Sequence, residues 1–589
     1  MHTSWNLSLL YSSHDDPAIE KDVKKIESLC ASFEKKYKAT ISTVTTTQKL
    51  LPIFVEYHKL QEVLSVSNPV YYFSLMREVA SNDEKAEAME TLLSQRITKA
   101  YNKVMFFSLY LASVPPAFQT RILADARFAP YNYLLKSTFK NAVYNLTEPE
   151  EKILSLTSLP AKSLWVSGFE KLLNKQTITY KKVTYPISEA IAKATYLPRQ
   201  ADRLAMSKKI LSTLASISDF AESEINAIYN YKKINDDLRG FKKPYSSMVV
   251  SNQNSEKEVE ALVHAVSESN DIAHSYYKLK KRILKLDKFH YVDRNISIGN
   301  TRKKIPFTEA VATAKEIFAS INPEYATILE RYLSNGQIDV FPKKNKSGGA
   351  FCSSTHGKPV FVLLNHKDTV NDFFTLMHEM GHAIHAERSR TQPSHYEDYS
   401  IAVAEVASTL FESLAFDYLF EKASTREQVI MLHDKIHNDI STIHRQIAFF
   451  RFEQELHEKV REHGFVQNKE IATLFTTHLS SYMGKDVLVD PENGYGYLYI
   501  SHIRRFFYVY TYAYGILIAK AIASRYKKNP AYAKDIDNFL SLGESMSPED
   551  IFKSIGIATK DGSVFTDGLQ SIRDDVAKLA ILAKKGGML

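Results

Sequence analysis

Residues that interrupt helices are scarce in this chain: 19 glycines and 19 prolines stand among 589 residues. Glycine is therefore roughly 3% of the chain where about 7% is usual, a shortage that favours a mainly helical architecture. Cysteine is scarcer still. Cys30 and Cys352 form no CxxC pair, which excludes a disulfide framework and a thiolate zinc knuckle and leads us to expect a reducing, cytoplasmic location. Charge of one sign never accumulates. The 75 basic and 67 acidic side chains leave a net +8 spread along the sequence, without the basic arm or stripe of a nucleic-acid binder. The longest apolar run, Phe506 to Ala519, falls short of the roughly 20 residues a membrane span needs. Met1 to Leu7 lack the basic and apolar regions of a secretory leader, so neither export nor a membrane partner is expected.

What is present is helical periodicity. Asp16-Pro17 reads as an N-cap and first helical residue, and Ile19, Val23, Ile26, Cys30, Phe33 and Tyr37 follow at steps of four and three. A second stripe, Ile210, Leu211, Leu214, Ile217 and Phe220, opens a long helical region expected to end near Asn235-Asp236-Asp237. Thr177 to Tyr185 alternates and is rich in β-branched residues, which predicts a small hairpin. A boundary near 195 divides the chain into an N-terminal helical domain with that hairpin, 1–195, and a second domain, 196–589. Within the latter, Ile338–Phe341, Gly348–Cys352 and Val360–Leu364 are three extended runs separated by turn residues, a small sheet in a helical chain.

Directly after the sheet, Asp368 or Thr369 can cap a helix that carries His378-Glu379-Met380-Gly381-His382. Histidines four apart share a helical face and can converge on one cation. Glu379, about 100° round the axis, can reach water on that cation. His433 and His437 have the same spacing without the glutamate and read as a solvated helix face. A catalytic zinc site needs a third ligand. Glu405 is a lone acid on the small, apolar face Ala402–Phe411, and a buried carboxylate without a partner is costly. Glu412, two turns on, can hold a ligand imidazole from behind. His385 is the rival third ligand, but three consecutive turns seldom aim three imidazoles at one ion.

With Glu405-Val406-Ala407-Ser408-Thr409 added to the motif, the chain resembles the oligoendopeptidase F family of thimet-like zinc oligopeptidases. Trp5-Asn6-Leu7-Ser8, Gly349-Ala350-Phe351-Cys352, Phe361–Asn365, Arg445-Gln446, Phe452-Glu453 and His502 with Phe507–Ala513 extend the likeness over most of the chain. The resemblance implies a mainly α, zincin-type, two-lobed body. A deep channel would admit short peptides, with one Zn2+ held by His378, His382 and Glu405 in a catalytic domain spanning 196–589. It implies no nucleic-acid partner, and we expect a monomer or weak homo-oligomer.

On that reading Glu379 is the general base for zinc-activated water attacking an internal peptide bond. The developing oxyanion needs a further donor, and by resemblance His502 and Tyr508, then Tyr512, are favoured. In one continuous helix Tyr508 and Tyr512 share a face, while His502 lies about 120° from Tyr508, so the two meet only if the chain bends between them. Gly348, Gly349, Ala350 and Phe351 suggest a strand edge on which an extended peptide can pair. Two alternatives remain open. One is a zinc metallocarboxypeptidase with Arg504 or Arg505 holding the substrate carboxylate, and the other is a non-catalytic peptide-binding protein.

Overall fold

The computed structural model describes residues 2–299 and 303–589. Among them are twenty-six α-helices and only two- or three-stranded sheets, so the mainly α expectation is met. Two compact units are interleaved along the chain. The first comprises Met1–Val143, Lys303–Tyr418 and Arg525–Ile555; the second comprises Tyr144–Arg302, Leu419–Ser524 and Gly556–Leu589. The sequence position near 195 falls inside the second unit, at the C-terminal end of the helix Ile187–Tyr196 and before the helix Gln200–Ser216.

In the first unit, the Asp16 side chain accepts the Ala18 N–H at 2.9 Å and opens the helix Pro17–Tyr37. Its stripe Ile19, Val23, Ile26, Cys30 and Phe33 is buried, and the lower part of it joins a core with Phe54, Phe107 and Phe128. The three extended runs form one sheet. Phe361–Leu363 lies in the middle, parallel to Ile338–Asp339 and antiparallel to Phe351–Ser353, which is an edge strand. The N-terminal segment straps onto it: Trp5 Nε1 donates to the Val362 carbonyl at 2.8 Å, and Val340 N–H donates to the Thr3 carbonyl at 3.0 Å. The Trp5 ring packs edge-on against Phe351 and Phe361.

In the second unit, Thr177–Tyr180 and Val183–Pro186 pair as the predicted hairpin, turning on Lys181 and Lys182 at φ 49 and φ 69. The second stripe differs from expectation. The chain breaks at Ile217 into the helices Gln200–Ser216 and Ser218–Arg239, which leaves Phe220 exposed while Ile210, Leu214 and Ile217 are buried. The latter helix runs through Asn235–Asp237 to a left-handed Gly240. Buried Asp236 is neutralised there by Lys232 and Arg461, which removes the cost that would have ended the helix earlier.

Candidate metal centre and donor cluster

Thr369, not Asp368, caps the motif helix Val370–Ser389. Its hydroxyl accepts the Asp372 N–H at 3.1 Å, and the Asp372 carboxylate accepts the Thr369 N–H at 2.9 Å. The helix Ile401–Glu421 crosses it closely. A Cβ on Gly381 would lie 2.7 Å from Ser408 Cα and 3.1 Å from the Ala407 carbonyl oxygen, so only glycine allows the two backbones to touch. The reading from sequence passed over Gly381. Its signal was a helix-interior glycine opposite the small run Ala402–Ser408.

Through this contact His378, His382 and Glu405 each offer one ligand atom, all within 4.8 Å of one another. His378 Nε2 faces Glu405 at 3.6 Å, while its Nδ1 sits 3.2 Å from Glu412. His385 turns away: it is buried, stacks on Tyr399 at 3.8 Å and packs near Phe539. Burial pushes His382 down to about 3, with the His378 and His385 charges adding, so its imidazole is a neutral donor. Burial also pulls His378 down, but the Glu412 hydrogen bond and the charges of Glu379, Glu412 and Glu405 outweigh it and raise it to about 9. Two imidazoles and a carboxylate converging in this way fit a zinc ion.

Glu379 is buried, and desolvation pushes it up to about 7 against the pull of His378 and of the Cys352 backbone N–H. It lines a cavity of about 400 Å³ with His378, His382, Glu405, Ala350 and Phe351. Cys352, part of the resemblance, and Tyr399, which the sequence did not point to, also line this cavity. Gly348 and Gly349 do not line it. They form the bend before the edge strand, with Gly349 at φ 79 and open space around both.

The remaining predicted residues lie in the second unit. His502 sits in the short turn Ser501–Arg504, and Tyr508 precedes the helix Tyr510–Lys528. The chain does bend between them, at Phe506 and Phe507 with φ 51 and φ 60. His502 thereby lies 6.4 Å from Tyr508 and 5.8 Å from Tyr512 between ring centroids, and its Nε2 is 3.3 Å from the Tyr512 hydroxyl. Burial, then Arg505 and Arg445, hold His502 below its ordinary value. Tyr510 and Tyr514 are core residues bonded to Asn254 and Glu258. Arg504 is taken up by a two-pronged pair with Glu224 at 2.6 and 2.7 Å, leaving exposed Arg505 of the two candidate carboxylate anchors. His433 is buried against Tyr276 and His437 is half-buried, so this pair is not a solvated face. Among the described residues it belongs to no converging group of three potential metal ligands.

Residues 194–570 match the model of peptidase family M3. The oligopeptidase PepF of Bacillus subtilis is 27% identical over 592 residues, covering 94% of this chain and 83% of its own. An oligoendopeptidase F homolog of Borreliella burgdorferi is 25% identical, covering 94% and 93%. In fold, the oligoendopeptidase-F structure from Enterococcus faecium aligns with TM-score 0.72 at 18% identity, over 96% of this chain and 99% of its own.

Proposed function

The chain belongs to peptidase family M3, and on that premise we propose that it is a zinc endopeptidase that hydrolyses internal bonds of short peptides. The observation that carries this reading is the convergence of His378, His382 and Glu405 on a cavity shared with Glu379 and the edge strand. These three residues would hold one zinc ion. Bound there, zinc would supply a Lewis acid for the scissile carbonyl and for water. Glu379 takes the proton of the attacking water and returns it to the leaving amine. Glu412 holds His378 by Nδ1 and so keeps Nε2 free for the ion. His502, Tyr508 and Tyr512 supply the donor for the developing oxyanion.

The edge strand Phe351–Ser353 supports backbone pairing with an extended substrate, which tolerates many side chains. The pairing of Arg504 with Glu224 weakens the carboxypeptidase alternative. The family match begins at residue 194, which supports assigning the peptidase chemistry to 196–589 as a division of function. Two free cysteines, and no helix among the described residues long and apolar enough to cross a membrane, support a cytoplasmic enzyme. We retain the monomer or weak homo-oligomer as part of the proposal.

The test is a quenched peptide of about ten residues blocked at both ends, incubated with and without a chelator, with the products mapped by mass spectrometry. Internal cleavage that chelation abolishes and zinc restores is the expected result. Zinc-loaded protein that cuts no peptide would favour a binding protein instead.

A further inference from the structure

The bend at Phe506 and Phe507 places two consecutive residues bearing Cβ atoms in the left-handed region, φ 51 and φ 60. Such backbone persists only where its surroundings over-determine it. Here the surroundings are largely aromatic. The Phe506 ring lies 5.8 Å from Tyr229 and 5.6 Å from His457, with Lys162 Nζ over its face at 4.0 Å. Phe507 is fully buried, 5.2 Å from Phe450 and 5.1 Å from His457.

One carboxyl enters this cage. Glu453, on the helix His444–His463, is completely buried, and its Oε2 accepts the Phe507 N–H at 2.7 Å. Without that acceptor the N–H would be an orphaned donor in an apolar site, which folded chains avoid. The other oxygen, Oε1, has no hydrogen-bond partner among the described residues, and burial pushes the carboxyl up to about 8. A group kept buried at such cost, with a single bond to a strained amide, is placed for that amide. Both sides of the bend are anchored separately, Arg504 on Glu224 before it and Tyr510 on Asn252 and Asn254 after it.

We infer that Glu453 is a positioning residue that locks the Phe506–Phe507 bend and thereby holds Tyr508 against His502 and Tyr512. The inference rests on the proposed role of that cluster as the oxyanion donor. Glu453 touches neither substrate nor reacting atoms and acts through the Tyr508 hydroxyl. Its neutral state near pH 7 makes glutamine the conservative replacement, with an acceptor oxygen at the same reach, whereas methionine keeps the bulk and removes the acceptor.

The experiment uses the full zinc-loaded chain and the blocked peptide, with kcat, KM and zinc content measured for Glu453→Gln, Glu453→Met, Tyr508→Phe and Glu453→Met/Tyr508→Phe. Glu453→Met should lower kcat by about tenfold or more with KM and zinc content unchanged, and Glu453→Gln should stay within about threefold of the wild type. The double variant should be no slower than Tyr508→Phe alone, because the hydroxyl is already lost. Wild-type kcat in Glu453→Met, or losses that multiply in the double variant, would overturn the assignment. Should Glu453→Met fail to fold, Glu453→Asp, one methylene short of the amide, decides by the same split between kcat and KM. A Tyr508→Phe variant with full kcat would sink the donor role itself and the inference with it, and that arm is read independently of Glu453.

Discussion

The metal centre and the donor cluster bring imidazoles to their neighbours by opposite means. In the first unit, regular helical geometry does the work: His378 and His382 are one turn apart, and Gly381 lets a second helix deliver Glu405. In the second unit, regular helix would have kept His502 and Tyr508 apart, and a bend of two left-handed phenylalanines brings them together. A site built on periodicity fails when a ligand is lost or when the close helix contact that completes it is forced apart. A site built on a strained bend depends on whatever cages the bend.

Substitutions, metal removal and one titration would break or sharpen that contrast. The largest effect is expected from metal removal: chelation, or His382→Ala, should take peptide hydrolysis to background, with zinc restoring the chelated wild type but not the variant, as atomic absorption and peptide assay would report. Next, Glu379→Gln should lower kcat by about 10²–10⁴-fold while zinc stays bound. Full activity in that variant would remove Glu379 as the base. Tyr508→Phe should cost roughly 10²-fold in kcat at unchanged zinc content, and a loss confined to KM would instead assign the tyrosine to substrate binding.

Smaller still is the packing effect at the helix crossing. Gly381→Ala should destabilise the fold by about 1–3 kcal/mol and weaken zinc retention, whereas Gly348→Ala, with open space around it, should change neither. Equal melting temperatures for the two variants would mean that the close approach does not position Glu405.

The last test is a titration. Because burial raises Glu453 to about 8, the folded chain keeps a proton that the unfolded chain has lost between the ordinary carboxylate range and that value. Stability therefore falls as pH rises through this window and levels off above it. Glu453→Gln has no such proton, so its melting temperature should gain on the wild type between about pH 5 and pH 8, and a constant gap would show that the carboxyl is not raised.

The same contrast explains what could be read in advance. The stripe of Pro17–Tyr37, the capped motif helix and the hairpin are local patterns of period or turn, and each lies where its residues predict. The sheet order was beyond reach, since only the fold decides that Phe361–Leu363 runs between strands that precede it in the chain. The break at Ile217 was hidden because Leu211 and Phe220 fit the apolar period although the one is half-buried and the other exposed. That His502 and Tyr508 need a bend between them was legible, but its place at Phe506-Phe507 was not, because phenylalanine seldom adopts a positive φ and the cage that imposes it comes from Tyr229, Glu453 and His457. The polar neighbours Asn438, Asp439 and Arg445 pointed His433 and His437 to solvent, and they could not foretell that Tyr276 would cover His433.

The order in which a ribosome makes this chain sets a schedule on its assembly. Thr3 and Trp5 are bonded to Val340 and Val362, which the ribosome makes long after them, and the first compact unit takes its last segment from Arg525–Ile555. The second unit likewise waits for Gly556–Leu589. Each unit closes only once a segment beyond residue 524 has been made, so the nascent chain holds the apolar stripes of its earlier segments without their full set of partners over that span. Chaperone demand and sensitivity to elongation rate should therefore be higher than for an enzyme of equal length built from consecutive domains.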